Sequence, residues 1–253
     1  MTSGTAVAPT FSVQRATERY FADHGWLRTY HSFSFADYFD PNNLNWGALR
    51  VFNDDRIAAA RGFPPHPHRD MEILTYVFSG ELEHQDDFGN RGVVRSGGVQ
   101  FMSAGTGVRH SEFNHSATEE LHLVQMWVLP GKTGTAPTYG QKDFTAEDRH
   151  NRWLIVASGE QSLQSPPIAL TQNATLRVAR LEGHALSHEF APKRYGFAFV
   201  GPLRALDAAQ GDGEGVTING EMLREGDAVR TYDIPKLEIS GTGELVFWDL
   251  PAA

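Results

Sequence analysis

Two short motifs place nitrogen and oxygen donors at a spacing suited to a metal ion. His66 and His68 form a His-x-His pair, and His110 and Glu112 form a His-x-Glu pair. On an extended backbone, residues two apart point to the same face, so each pair can direct both side chains at one ion. Three imidazoles and a carboxylate suit Fe(II), Mn(II), Co, Ni, Cu or Zn, and leave coordination positions for water, substrate or O2. We therefore predict one divalent transition metal on these four residues.

Glu72 is an alternative source of the carboxylate. It lies four residues after His68, and an uninterrupted strand would turn it to the face that both histidines share. It could instead accept a hydrogen bond from a ligating imidazole or line the pocket. We favour Glu112 as the ligand and Glu72 in the supporting role.

The remaining histidines have weaker patterns. His84 lies in a polar segment with Asp86, Asp87, Gly89 and Asn90, which is typical of a solvated hairpin turn. No spacing rule brings His115 and His122 to the ion, and we interpret both as partly buried structural histidines. Two histidines of the second half, at positions 184 and 188, lack a His-x-Glu partner. A second complete metal site is therefore not predicted.

Short strands are the elements that must position these residues. The 25 glycines and 13 prolines separate apolar runs of strand length, and they predict strands over residues 72–78, 121–129, 195–200 and 244–250. Asn219-Gly220 between two such runs predicts a type I′ hairpin. The strongest helical pattern covers residues 12–24. Evenly spaced strands favour an all-β sandwich or barrel.

Composition restricts the other possibilities. A length of 253 residues allows one large or two modest domains, and the lapse of apolar alternation between 130 and 152 predicts a boundary there, giving domains 1–145 and 146–253. Zero cysteines exclude thiolate ligands and disulfides, and a net charge of −9 argues against direct nucleic-acid binding. Without a signal-peptide pattern or a spanning apolar run, we expect a cytoplasmic protein that does not enter the membrane.

The motifs resemble those of the cupin superfamily. The residues that match its first motif are Gly62, His66, His68, Glu72 and Gly80, and those that match its second are Gly98, Gly107, His110 and Asn114. Glycine stands at position 105, where cupins usually have proline. More narrowly, the blocks at residues 31–35, 47–55, 63–76, 102–114, 125–127, 216–220 and 247–251 are similar to the pirin family, especially its bacterial members described as quercetin 2,3-dioxygenases.

This resemblance implies an all-β bicupin of two jelly-roll barrels, with a complete metal site only in the N-terminal one. It implies one metal, usually iron, on His66, His68, His110 and Glu112, which favours Glu112 over Glu72 as the ligand. The implied reaction is O2-dependent cleavage of the flavonol heterocycle with release of carbon monoxide. Glu112 would accept the proton of the substrate's 3-hydroxyl. The implied partners are a small phenolic substrate and O2, and we expect a monomer or weak homo-oligomer.

Two other functions stay open. Some pirins are described as transcriptional or nuclear partners, so the chain could be a metal-containing interaction module without enzymatic activity. Alternatively, the metal could act on another phenolic or enolic substrate, since fold does not fix function. Apolar residues near the ligands could wall a substrate cavity or form ordinary barrel core, namely Phe63, Met71, Phe101, Met102 and Phe113.

Overall fold

Strands make up nearly all of the regular structure, as the turn-separated apolar runs predict. The structure is a computed structural model that describes residues 8–202 and 215–253. In the first half of the chain the strands are β1 (Thr10–Gln14), β2 (Tyr20–Asp23), β3 (Leu27–His31), β4 (Leu49–Ile57), β5 (Gly62–His68), β6 (Glu72–Ser79), β7 (Glu81–Asp86), β8 (Arg91–Arg95), β9 (Val99–Ser103), β10 (Val108–Asn114), β11 (Leu121–Val128) and β12 (Thr138–Lys142). In the second half they are β13 (Leu154–Ser158), β14 (Ile168–Ala169), β15 (Thr175–Glu189), β16 (Tyr195–Val200), β17 (Val216–Ile218), β18 (Glu221–Leu223), β19 (Ala228–Tyr232) and β20 (Lys236–Leu250).

The predicted helix over residues 12–24 is wrong. This stretch contains the end of β1, a single 3-10 turn at Ala16–Glu18, and β2; the α-helix of the described chain is the short α1 (Ala146–Arg149). β1 pairs antiparallel with β19 in the second half of the chain. Phe11 and Val13 thereby pack against an apolar cluster far away in sequence, and this tertiary burial overrides the local helical pattern.

The first half forms a barrel from two sheets. One has seven strands in the order β12-β9-β6-β11-β4-β3-β2, and the other has four in the order β5-β10-β7-β8. Alternate residues of the central strands point to opposite faces of the seven-stranded sheet. On β6, for example, Ile73 and Val77 belong to apolar clusters inside the barrel, whereas Leu74 and Tyr76 face the second half of the chain.

The strands of the second half lie in one nine-stranded sheet, which also includes β1 and in which the long strands β15 and β20 pair with each other. Its own core contains Leu181, Val229 and Phe247. The predicted hairpin is confirmed: β17 and β18 pair around Asn219 and Gly220, which have φ of 46° and 85°. Positive φ at both central positions is what a type I′ turn requires. The fold is thus the all-β, two-barrel bicupin that the resemblance implies.

The two halves share the largest apolar core. Phe52 of the seven-stranded sheet lies 4.8 Å from Phe197 and 4.9 Å from Phe199 between ring centroids, and Trp248 is fully buried in the same cluster. We propose the domain boundary between 145 and 146, at α1. β1 nevertheless adds to the sheet of the other half, and β12 lies in the region predicted as a seam.

Among residues 8–202 and 215–253, none of the helices is both long and apolar enough to cross a bilayer.

Candidate metal centre

Neighbouring strands of the four-stranded sheet carry the predicted ligands. His66 and His68 lie on β5, and His110 and Glu112 lie on the adjacent β10, with His66 directly opposite His110. The register shifts between His110 and Glu112, because Glu112 pairs with Phe63 and β5 holds one extra residue there. This bulge lies at the prolines before His66 and re-aims the two histidines of β5.

The three histidines converge. Ring centroids are 4.5 Å apart for His66 and His110, 4.8 Å for His66 and His68, and 4.9 Å for His68 and His110. One nitrogen from each ring lies within 4.8 Å of the others. That spacing suits three nitrogens around one transition-metal ion.

Burial keeps two of these rings neutral. Loss of hydration, with the nearby charges of the other imidazoles, lowers the pKa of His110 to about 3 and that of His68 to about 4. At neutral pH both rings therefore present an unprotonated nitrogen, which is the form that binds a metal. Trp127 packs edge-on against His68 with a centroid distance of 4.8 Å and restricts its orientation.

Hydrogen bonding selects a tautomer for His66. Its Nδ1 lies 2.9 Å from the carbonyl oxygen of Pro64. A carbonyl oxygen only accepts, so Nδ1 carries a proton, and in the neutral form of the ring Nε2 then has a free lone pair. The proline backbone thus both extends β5 and supplies the acceptor that prepares His66 for an ion.

Glu112 lies beside His110, in a group with His84 rather than with the two histidines of β5. Donor atoms of His84, His110 and Glu112 lie within 4.8 Å of one another. Both oxygens of Glu112 accept amide hydrogen bonds, at 2.6 Å from Gln100 Nε2 and 2.7 Å from Gln125 Nε2. The role of Glu112 as fourth ligand stays a prediction.

An orphaned nitrogen supports a metal at this place. His110 is 1 % exposed, and its Nε2 finds no hydrogen-bond partner in residues 8–202 and 215–253. A buried polar atom without a partner is costly unless a bound water or ion satisfies it. Three imidazoles and an adjacent carboxylate form a donor set that fits a divalent transition ion.

Glu72 takes neither of its predicted roles, which were those of a metal ligand and of a residue that supports the ligands. Its carboxylate accepts hydrogen bonds from the backbone N–H groups of Thr171 and Gln172, at 2.7 and 3.2 Å, in the second half of the chain. On β6 it shares the face of Leu74 and Tyr76, which points away from the barrel interior. The strand is not continuous from His68 to Glu72, because Asp70 adopts a positive φ of 45° and breaks the alternation.

The prediction of a solvated turn at His84 is also wrong. His84 is fully buried on β7, opposite Glu112 on β10, and the turn begins only after Asp86. His122 is buried against Asp54, with Nε2 2.8 Å from Oδ1, whereas His115 is half-exposed beside Glu83. His84 contacts His110, so sequence spacing missed a residue adjoining the centre.

Gln100 and Gln125 also contact Glu112, although no sequence motif predicts them. They lie on β9 and β11 of the opposite sheet, so only barrel closure brings them to Glu112. The available signal was a polar residue at an inward position of an otherwise apolar strand, since Gln100 and Gln125 interrupt runs of buried hydrophobic residues.

The residues predicted to wall a substrate cavity lie on different faces of the barrel sheets. Phe101 belongs to the core shared by the two halves, and Phe113 is 37 % exposed. Met102 is buried inside the barrel with Met71 packed against the same cluster, and Phe63 packs at the other inner cluster. Phe63 approaches His66 at 6.3 Å between centroids.

A two-barrel β protein with three converging histidines in its first barrel has the fold of a cupin and a site that could hold a metal ion. Residues 11–128 match the family model for pirin. Quercetin 2,3-dioxygenase of Escherichia coli K12 is 40% identical over 247 residues, covering 94% of this chain and 98% of that protein. The chain therefore belongs to the pirin family.

Two further relatives are similar. A pirin-like protein of Caulobacter vibrioides is 49% identical over 172 residues, which cover 66% of this chain and 74% of that one. The crystal structure of the bacterial pirin YhhW from Escherichia coli in complex with nickel(II) superimposes with a TM-score of 0.84 at 39% identity, covering 96% of this chain and all of that chain.

Proposed function

We propose that this protein is a metal-dependent dioxygenase that opens the heterocyclic ring of flavonols such as quercetin with O2 and releases carbon monoxide. The observation that carries the proposal is the convergence of three imidazoles beside Glu112, with the lone pair of buried His110 Nε2 unpartnered among the described residues. Relatives named quercetin 2,3-dioxygenase support a dioxygenase-like enzyme of this kind.

The metal is proposed on His66, His68, His110 and Glu112. The family favours Fe(II), the crystal structure of the bacterial pirin YhhW is of a complex with nickel(II), and the donor set also accepts Cu, Mn, Co or Zn. When bound, the metal lowers the pKa of a coordinated hydroxyl and supports O2 chemistry.

Glu112 is the proposed proton acceptor for the substrate hydroxyl. Both of its oxygens accept amide hydrogen bonds, Oε1 from the buried Gln100 and Oε2 from the less buried Gln125. Gln125 also accepts a hydrogen bond from Trp127 Nε1 at 3.1 Å, which fixes the amide that faces Oε2. The amides orient the carboxylate toward the reacting hydroxyl.

The proposed substrate is a small phenol, and the apolar and aromatic side chains near the centre exclude water from it. Trp127 lies against His68 and also against Phe35, at 5.3 Å between centroids, so that an aromatic surface adjoins the ligands. Such surfaces suit a flat aromatic ring.

The test is turnover of quercetin by protein loaded separately with iron, copper, manganese, cobalt, nickel and zinc. Loss of flavonol absorbance under air and carbon monoxide in the headspace are the two readouts. We expect metal-dependent turnover that is abolished in Glu112→Gln and retained in Glu83→Gln, whose carboxylate makes an exposed contact with His115. No turnover with any metal would favour a metal-containing interaction module instead.

A further inference from the structure

A chain of hydrogen bonds runs from His110 away from the proposed ion. Nδ1 of His110 lies 3.3 Å from Nδ1 of His84, and Nε2 of His84 lies 3.3 Å from Oδ2 of Asp86. All three side chains are almost completely buried. Tyr139 stacks on the His84 ring at 4.1 Å and an angle of 13°, which holds the ring in the plane of these contacts.

Asp86 is surrounded by donors. Its Oδ1 accepts from the backbone N–H groups of Phe88 and Asn90, and its Oδ2 accepts from the side-chain amide of Asn90 as well as facing His84. Although burial acts to raise the pKa of Asp86, the hydrogen bonds from Asn90 and His84 hold it below its usual value. Asp86, the last group in this series of hydrogen bonds, is therefore an ionised carboxylate, and it can only accept hydrogen bonds.

Proton positions follow from that acceptor. Facing the carboxylate, Nε2 of His84 carries a proton, and in a neutral ring Nδ1 is then an acceptor. The nitrogen opposite it, Nδ1 of His110, must donate, which leaves Nε2 of His110 with a lone pair. This is the nitrogen that has no partner among the described residues.

We propose that Asp86 and His84 are positioning residues that fix His110 in the tautomer whose Nε2 binds the ion. The inference rests on the proposed metal site. Through the two hydrogen bonds the negative charge of Asp86 also strengthens His110 as a donor, as outer hydrogen-bond partners commonly do for ligating histidines. The tautomer of His66 is set by the uncharged carbonyl of Pro64. A negatively charged group supports His110 instead, through His84.

The tautomer is measured directly by two-bond 1H–15N spectra of protein with 15N-labelled histidine. In metal-free wild type we expect His110 protonated at Nδ1 and unprotonated at Nε2. In Zn(II)-loaded protein the Nε2 resonance of His110 should shift on coordination, while both nitrogens of His84 should keep shifts of an uncoordinated ring.

Asp86→Asn tests the charge. Every partner of Asp86 is a donor, so the new NH2 must face one of them, and His84 can yield by becoming an acceptor at Nε2. His84 then donates at Nδ1 and moves the proton of His110 to Nε2. We expect the tautomer of His110 to invert and Zn(II) affinity, measured by competition with a chromogenic chelator, to fall by about 10- to 100-fold. Glu83→Gln makes the same chemical change on the outer face of β7 and should leave both unchanged.

A pair of substitutions at His84 separates hydrogen bonding from packing. His84→Leu removes the acceptor for His110, whereas His84→Asn keeps an amide oxygen near the place of Nδ1. We expect His84→Leu to lose Zn(II) affinity by about 10- to 100-fold and His84→Asn to recover most of it. Far-UV circular dichroism establishes that each variant is folded.

Three results would overturn the proposal: a proton on Nε2 of His110 in metal-free wild type, an Asp86→Asn variant with wild-type tautomer and affinity, or coordination of His84 itself in the Zn(II) form. Equal losses in His84→Asn and His84→Leu would also count against it. Wild-type protein that binds no Zn(II) and no other ion would instead refute the proposed metal site, and the metal-free tautomer would still decide whether the hydrogen-bonded chain exists.

Discussion

Gln100 donates a hydrogen bond from Nε2 to Oε1 of Glu112 at 2.6 Å, and both residues are buried. Gln100 lies on β9 of the seven-stranded sheet and Glu112 on β10 of the four-stranded sheet, so the bond joins the two walls of the barrel. The carboxylate proposed to act on substrate is therefore oriented by the sheet opposite its own.

Replacement of Gln100 tests this contact. Gln100→Leu keeps a similar volume but removes the donor, and a hydrogen bond to a charged group contributes about 1.5–3 kcal/mol. We expect the unfolding free energy of metal-free protein to fall by about that amount in urea titrations. Quercetin turnover should fall too, because Glu112 loses its fixed orientation. Unchanged stability and unchanged turnover would show that the contact contributes nothing.

Gly62 lets β5 approach β10. A Cβ added there would lie 2.2 Å from the carbonyl oxygen of Glu112 and 2.5 Å from Cα of Phe113, both of which are backbone atoms. Gly62→Ala must therefore push apart the strands that carry the two ligand pairs. We expect a loss of about 1–3 kcal/mol in unfolding free energy, with weaker Zn(II) binding.

Gly140 is the matched control for that substitution. It lies on β12, and a Cβ added there meets no described atom within 4 Å. Gly140→Ala should leave Zn(II) affinity unchanged. Equal Zn(II) binding by Gly62→Ala and wild type would contradict the close approach of β5 and β10.

Glu72→Gln should weaken the contact between the two halves without affecting the metal. The carboxylate accepts two backbone hydrogen bonds from Thr171 and Gln172, and an amide can accept at one oxygen only. We expect a loss of about 1–3 kcal/mol in unfolding free energy. Metal content after purification should match wild type; loss of the ion would mean that Glu72 does reach the centre.

Asp55 should make the metal-free protein less stable as pH rises. Burial, together with the charges of Asp54 and Glu112, raises the pKa of Asp55 from 3.8 to about 7. Between these values the folded protein holds a proton that the unfolded chain has released, so the unfolding free energy falls with increasing pH and levels off above about pH 7.

Asp55→Asn removes that dependence. Relative to wild type, the variant should gain up to about 4 kcal/mol in unfolding free energy between pH 4 and pH 8, because a shift of one pKa unit corresponds to about 1.4 kcal/mol. Urea titrations of chelator-treated protein at several pH values measure the difference. A difference that does not change with pH would refute the raised pKa.

Strand positions followed from local patterns, and the largest errors came from long-range contacts. The runs at 72–78 and 195–200 form β6 and β16 because alternation and turn residues act within a few positions. The helix predicted over residues 12–24 is wrong because β1 pairs with β19, and no local pattern encodes that pairing. The solvated turn predicted at His84 is wrong because the polar residues around it are also compatible with the end of a buried strand.

The sequence by itself determined that His66 with His68, and His110 with Glu112, each point to one side of a strand, because a period of two is a property of the extended backbone. Tertiary structure alone decided that β5 lies beside β10, that Gln100 and Gln125 reach Glu112, that His84 adjoins His110, and that Glu72 turns to the other half. Those contacts depend on sheet order, register and a positive φ at Asp70, and they join residues whose distance in space is fixed only when the barrel closes.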